Sequence, residues 1–400
     1  MAYKIILIGI GPEGLTAKAE ALLEACPVVV ASSRHLHLVP AGKEILAITP
    51  VQQTLDRVAE RLQDGPVAVL ASGDPLFFGI GRTLLSRVDP EQLEILPALS
   101  AMQLAFCRFK EPWDDARFVS LHGRATDHVL PLLLPHDKVL VFTDGTNSPD
   151  ALCRQLLACF AAVDDTETPA RYEVMVAENL GQEEERLTSG SLEEISDETF
   201  GPLNVVIFKR RPRPRPFSFG LESTAIAHSR GLITKDEVRA VTLHTLQLPD
   251  QGVLWDVGAG SGSVSVEAAR LCPELMIYAV EKKPEEQANI RANIRRHQCH
   301  TIQVVHGEAP AALAALPAPD RVFIGGSGGN LAEIIALAAE RLRPGGTMVA
   351  NAVLAKTAAA APDFMRDHGL SVDARTIRVT RIQANGNEEL SPITIIRGRK

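Results

Sequence analysis

Cysteine is sparse in this chain: Cys26, Cys107, Cys153, Cys159, Cys272 and Cys299 are spread over 400 positions, with no Cys-x-x-Cys pair among them. A disulfide framework and a thiolate metal site both need clustered cysteines, so neither is expected and no metal ligands are read from the sequence. Long apolar runs are lacking too. None approaches the roughly 18 residues of a membrane-spanning helix. Met1–Ile10 enters a strand broken by Gly9, Gly11 and Pro12, without a basic leader or a small-residue cleavage site. The expectation is a cytoplasmic protein with reduced thiols and no membrane partner. Basic residues are outnumbered, giving a formal net charge of -8, which argues against a general nucleic-acid binder.

What is present is an ordinary globular composition, 46% hydrophobic and 22% charged, which excludes a disordered chain and a coiled coil. At roughly 100–200 residues per domain the length suggests two domains. The sharpest change in composition is Lys209-Arg210-Arg211-Pro212-Arg213-Pro214-Arg215-Pro216. Alternating prolines fix φ and remove donors while like charges repel, so this stretch reads as extended and exposed. The expected division is a first domain over 1–209, an Arg/Pro-rich linker over 210–220 and a second domain over 221–400. An arginine-rich RNA or phosphate contact is the functional alternative for the linker.

Strands alternate with helices on both sides of this boundary, which predicts an α/β fold with parallel sheets covered on both faces. In the first part, strands are expected at 4–9, 27–31, 67–71, 94–96, 118–121 and 138–142, with helices at 16–24, 55–63 and 149–157. In the second, strands are expected at 253–257, 276–280, 302–306, 321–324 and 347–350. A closing antiparallel pair, 376–382 with 393–397, turns around Asn385-Gly386-Asn387.

Two glycine-rich turns differ in kind. Gly9-Ile10-Gly11-Pro12-Glu13-Gly14 matches the dinucleotide pattern G-x-G-x-x-G. Pro12, however, has no N–H to offer a pyrophosphate, and the following strand ends Ala31-Ser32-Ser33 without a carboxylate for a ribose. A tight strand-to-helix turn is therefore favoured over a nicotinamide site. The second turn is Asp256-Val257-Gly258-Ala259-Gly260-Ser261-Gly262-Ser263, and the next strand ends in Glu281, able to accept both hydroxyls of a ribose. The third strand leads to Gly307-Glu308-Ala309-Pro310, where an adenine would lie. That order of parts suits a Rossmann-like S-adenosylmethionine site. After the fourth strand, Gly325-Gly326-Ser327-Gly328-Gly329-Asn330 stands where methylases of base amines carry an Asn/Asp-Pro-Pro-aromatic clamp, which implies a roomy mouth for a large substrate.

With these motifs in order, the whole chain resembles the precorrin-6Y C5,15-methyltransferase (decarboxylating) family of the cobalamin pathway, a fusion of two methyltransferases of unrelated fold. The first part is similar to tetrapyrrole methylases through Ile8-Gly9-Ile10-Gly11-Pro12, Ala71-Ser72-Gly73-Asp74-Pro75-Leu76-Phe77-Phe78-Gly79, Ser120-Leu121-His122-Gly123-Arg124 and Phe142-Thr143-Asp144-Gly145. The second is similar to the decarboxylating enzyme through Arg230-Gly231-Leu232-Ile233-Thr234-Lys235 and the glycine turns.

The resemblance implies a two-lobed tetrapyrrole methylase fold followed by a class I methyltransferase fold, two S-adenosylmethionine sites, one per domain, and a tetrapyrrole substrate. The first cofactor site would use Pro12, Gly73, Asp74, Phe77, Ser100, Ala101, Asp144 and Leu180. The second would use Thr234, Asp256, Gly258, Ala259, Gly260, Ser261, Gly262, Glu281 and Ala309. It further implies methylation of carbon 5 by the first domain and methylation of carbon 15, with loss of the ring C acetate carboxyl, by the second. The product would be precorrin-8, and the chain would self-associate. Two departures stand out: Ala31-Ser32 replaces a usual glycine, and Lys356 stands where relatives commonly have glutamate, so no carboxylate role is carried over there.

An acid-rich macrocycle needs cations, and the candidates are His122 and Arg124 in the first domain and Arg230 and Lys235 in the second. Methyl transfer from a sulfonium needs alignment more than acid–base machinery, and no nucleophilic triad is expected. Two other classes fit parts of the chain: an RNA or small-molecule methyltransferase using only the second domain, and a nicotinamide-dependent oxidoreductase on the Gly9–Gly14 turn.

Overall fold

The structure is a computed structural model and describes residues 4–121, 129–212, 219–229, 231, 233–383 and 386–400. It has two compact units, one of residues 1–124, 138–152 and 173–209, the other of 125–137, 153–172 and 210–400. No helix among the described residues is long and apolar enough to cross a membrane.

The first unit opens with five short strands, β1 (Ile5–Ile10), β2 (Val28–Ala31), β3 (Glu44–Ala47), β4 (Val67–Ser72) and β5 (Leu93–Leu96), in the order β3-β2-β4-β1-β5. Every pairing is parallel. Successive side chains of a strand point to opposite faces. Ile5, Leu7, Val28, Val30, Val67 and Val69 therefore build one core, while Ile6, Ile8, Val29, Ala68 and Leu70 build the other.

A second sheet follows, with β6 (Arg117–Ser120), β7 (Lys138–Phe142), β8 (Tyr172–Glu178), β9 (Arg186–Gly190) and β10 (Asn204–Arg210) in the order β6-β7-β10-β8-β9. β6 and β7 run parallel; β7 meets β10, and β8 meets β9, antiparallel. The expectation of parallel sheets throughout the first part is thereby corrected. The connection from Asn179 to Glu185 is too short for a crossover, so β9 can only fold back on β8.

Arg210, read as the start of the exposed linker, instead closes β10 and is buried at 5% exposure, donating to Asp137 Oδ1 at 2.9 Å and to the Leu134 carbonyl at 2.9 Å. Lys209 is paired with Glu111. Residues 213–218 of that run lie outside the described residues.

The second unit holds β11 (Gln251–Val257), β12 (Glu274–Glu281), β13 (Ile302–His306), β14 (Arg321–Ile324), β15 (Thr347–Ala352), β16 (Ser371–Ile377), β17 (Thr380–Gln383), β18 (Gly386–Glu389) and β19 (Ile393–Arg399). Seven of them form one sheet, β13-β12-β11-β14-β15-β19-β16, parallel except where β19 runs against β15 and β16. Within this unit His300, buried, meets Asp165 at 2.7 Å, which fastens part of segment 153–172 to the body of the sheet.

The closing pair is present but its first strand lies earlier than expected, at Ser371–Ile377 in place of 376–382. β16 ends at Ile377 opposite Ile393, and β17 pairs with β18 in a separate hairpin. Ile377 and Ile393 pack against buried core, whereas Ile382 is 86% exposed, so no apolar contact carries the strand further into the sheet.

Candidate functional site

In the second unit a cavity of about 770 Å³ opens beyond the carboxyl ends of the parallel strands, where open α/β sheets hold their ligands. The turn after β11 forms its floor. The amides of Gly258 and Ala259 both donate to the Val280 carbonyl, at 3.0 and 3.1 Å, pinning the turn to β12. Gly258, Gly260 and Gly262 sit at φ of 68, 55 and 72°, a region that favours glycine. A Cβ on Gly258 would lie 2.4 Å from the Gly326 carbonyl oxygen. The two glycine segments thus pack backbone on backbone, and the one after β14 is partly a packing device as well as a wide mouth.

Glu281 ends β12 and is 8% exposed. One carboxylate oxygen accepts the Gly260 amide at 2.9 Å and the other the Lys283 amide at 3.0 Å. A carboxylate has about four lone-pair directions, so two stay available toward the cavity it lines. Thr234, Lys235, Ala259, Ser261 and Ala309 line the same space. Arg239, buried, donates to the Thr234 carbonyl at 2.9 Å and fixes that edge.

Two of the sequence candidates lie beneath the cavity instead of on it. Gly262 has its α-carbon against Ile290, where a Cβ would approach to 3.1 Å. Asp256 is fully buried, accepts from Ser265 Oγ at 2.6 Å through Oδ2, and leaves Oδ1 without a protein partner. Burial pushes its carboxyl up to about 6.

The sign of that shift gives a prediction. A carboxyl whose folded value exceeds its ordinary 3.8 contributes stability fully at acid pH, and loses it as pH rises through about 6. Asp256→Asn keeps an oxygen for Ser265 and removes the charge. Chemical denaturation at pH 8 is expected to find the variant about 1–3 kcal/mol more stable than the parent. The gap should close at pH 4; an equal gap at both values would refute the assignment.

The first unit brings its candidates together around the ends of β1 and β4. The Gly73 amide donates to the Ile10 carbonyl at 2.8 Å, and a Cβ on Gly73 would lie 2.8 Å from the Ser100 α-carbon. Ser100 caps the helix Ala101–Phe109 in a capping box with Gln103. Pro12 meets Gly181, next to Leu180, so closely that a Cβ there would come within 2.5 Å. Phe77, Ala101 and Leu180 pack on one apolar cluster, with the Phe77 ring 5.3 Å from Phe118 and 5.8 Å from Phe142.

Asp74 and Asp144 each fold back on their own loops, accepting amides of Leu76 at 2.8 Å and of Asn147 at 2.7 Å. In the Gly9–Gly14 turn the Gly14 amide is spent on the Gly11 carbonyl at 3.1 Å, which further weakens the dinucleotide reading. His122, Arg124 and Arg230 lie outside the described residues.

Sequence reasoning missed one wall of the cavity. Val379, Glu389, Leu390, Ser391 and Ile393 reach it from the β17–β18 hairpin and its return, and Arg381 anchors that hairpin to Glu237 through two hydrogen bonds of 2.8 and 3.0 Å. Lys282, Lys283 and Asn351 also line the cavity. Positions directly after strands 2 and 5 could have suggested those three; the Asn385-Gly386-Asn387 signal marked a reversal at the hairpin, but nothing local shows that it meets the cavity.

Residues 4–196 match the model of the tetrapyrrole (corrin/porphyrin) methylases, and residues 225–395 that of the precorrin methyltransferase domain. The chain is 35% identical over 385 residues to precorrin-6Y C(5,15)-methyltransferase [decarboxylating] of Sinorhizobium sp, covering 94% of this chain and 90% of the relative. It is 29% identical over 363 residues to the Mycobacterium tuberculosis (strain CDC 1551 / Oshkosh) protein of the same description, covering 89% of each. A shorter relative, cobalt-precorrin-6B C(15)-methyltransferase (decarboxylating) of Salmonella typhimurium strain LT2, is 42% identical over 122 residues, 30% of this chain and 62% of that protein.

Proposed function

We propose, for a chain that belongs to the precorrin-6Y C5,15-methyltransferase (decarboxylating) family, that the first unit methylates carbon 5 of a precorrin and the second methylates carbon 15 and releases the ring C acetate carboxyl as carbon dioxide. The division follows the two family models, with the linker between them. Each unit binds its own S-adenosylmethionine, which supplies an electrophilic methyl on a sulfonium.

The observation that carries the second site is Glu281, buried at the cavity floor with both oxygens oriented by backbone amides and lone pairs left over. Glu281 accepts the ribose hydroxyls, the Gly258–Ser261 backbone allows close approach, Ala309 lies against the adenine, and Thr234 is near the amino-acid end. Asp256 and Gly262 support the turn from below. Lys235, with Arg230, holds carboxylates of the substrate; His122 and Arg124 do so in the first unit. In that unit Pro12, Gly73, Ser100, Ala101, Phe77 and Leu180 surround the cofactor, with Asp74 and Asp144 shaping its loops.

These residues act by alignment and exclusion of water, which supplies several kcal/mol toward an in-line displacement. The conjugated ring itself is the electron sink for decarboxylation. An RNA role for the basic run is disfavoured because Lys209 and Arg210 are already engaged by Glu111 and Asp137.

The test is mass spectrometry of the product formed from a precorrin and S-adenosylmethionine. Two added methyls and one lost carbon dioxide are expected. Methylation without carboxyl loss would remove the decarboxylating assignment.

A further inference from the structure

After β2 the first unit turns into a short 3-10 segment, Ser33–Leu38. His35 stands there between two serines. Its Nδ1 lies 3.3 Å from Ser32 Oγ, and its Nε2 lies 3.2 Å from Oγ of Ser72, the last residue of β4. Since β2 and β4 are neighbours in the parallel sheet, the imidazole ties together the carboxyl ends of two adjacent strands. A glycine at position 32 would leave Nδ1 without this partner. Ser72 runs directly into the Gly73-Asp74 turn, so the tie lies beside the first unit's candidate cofactor loop.

Arg34 and His37 flank this imidazole and are exposed. Among the described residues neither forms a side-chain hydrogen bond or ion pair. Both lie close enough to His35 for their charge to act on it: burial first, then Arg34, then His37 hold its pKa below the ordinary histidine value. His35 is thus an anchor held by two serines, and Arg34 is a permanently charged fork with no acceptor engaged, in the segment that leaves the carboxyl end of β2, the end at which parallel sheets hold ligands.

We infer that Ser32–His37 forms a carboxylate-binding subsite of the first unit. In it the Arg34 guanidinium, with His37 beside it, takes an acidic side chain of the macrocyclic substrate, and His35, held by Ser32 and Ser72, is a positioning residue that fixes the segment over the sheet. The inference rests on the reading that this unit acts on an acid-rich ring, and its test separates the two.

The full-length chain and its Arg34→Gln/His37→Gln variant are titrated with uroporphyrin III, an octacarboxylate porphyrin, by fluorescence. The variant is expected to lose one binding component by about tenfold or more, as befits a charge-assisted pair, and to show a shallower salt dependence, with calorimetric binding of S-adenosylhomocysteine unchanged. With a precorrin it should add the carbon 5 methyl more slowly and keep the carboxyl loss. Ser32→Gly should raise KM for the same methylation while leaving kcat and Tm as they were, a split that a merely structural serine would not produce. Equal porphyrin titrations for parent and double variant would overturn the subsite, as would absence of porphyrin binding by the parent. A parent that binds the porphyrin through Arg34 but methylates nothing would overturn the catalytic reading and leave the subsite standing.

Discussion

Glu281→Ala is expected to abolish one of two cofactor sites, together with carbon 15 methylation and carboxyl loss, while leaving carbon 5 methylation near the parental rate. The side chain is asked to do two things. It orients the glycine turn by accepting the Gly260 amide at 2.9 Å, and it is the one acidic group of the β12 terminus lining the cavity. Hydrogen bonds to a charged group contribute about 1.5–3 kcal/mol each. Losing two to a ribose would weaken binding by roughly a hundredfold or more on the rule of 1.4 kcal/mol per factor of ten. Because the Gly260 amide would also lose its acceptor, relaxation of the turn adds to the loss. Calorimetry with S-adenosylhomocysteine should give one site per chain in place of two, and the product should carry one new methyl and all its carboxyls. Two intact sites in this variant would sink the assignment of the second pocket.

Gly9→Ala should do the converse. A Cβ at position 9 would sit 2.4 Å from the Gly73 carbonyl oxygen, 2.7 Å from the Ala98 nitrogen and 3.0 Å from the Leu96 carbonyl oxygen. All three are backbone atoms, so no rotamer change can relieve the contact, and β1 must part from the Gly73 turn or from the chain beyond β5. Overpacking of a well-filled site typically costs about 1–3 kcal/mol, and rigid backbone neighbours place this case at the upper end. The first unit should therefore lose its cofactor site and carbon 5 methylation, with Tm lowered by several degrees as judged by calorimetry. The second unit's chemistry should persist. Unchanged stability and two cofactor sites would show that the contact relaxes and that Gly9 is only incidentally small.

These paired losses restate in chemical terms why one polypeptide carries two glycine turns that look alike in letters. In Gly9–Gly14 the crowded glycine is the first, and the turn closes on itself through Gly14 and Gly11. In Gly258–Gly262 the turn is tied to the neighbouring strand through Val280, and the middle glycine faces open space. The absence of a carboxylate after β2 and the presence of Glu281 at the end of β12 distinguish the two in the sequence itself, because a ribose diol demands an acceptor at that one place.

Thr234 and Lys235 followed from the family resemblance, whereas local pattern alone settled the α/β class, the parallel strands β1, β4 and β11–β15, and the identity of Glu281 and Ala309 as cavity residues. Each of these depends on short-range features: a continuous apolar run, a glycine that permits positive φ, or a residue that ends a strand. The insertion of β19 between β15 and β16, the burial of Arg210 against Asp137, the anchoring of the hairpin wall to Glu237 and the reach of His35 to Ser72 depend on which distant segments meet. Those partners lie tens to more than a hundred residues apart along the chain, so no window of sequence contains both, and only packing of the finished sheets brought them together. The folding back of β9 and the withdrawal of Asp256 beneath its turn join near neighbours, but burial by the surrounding sheets decides them, which local pattern does not carry.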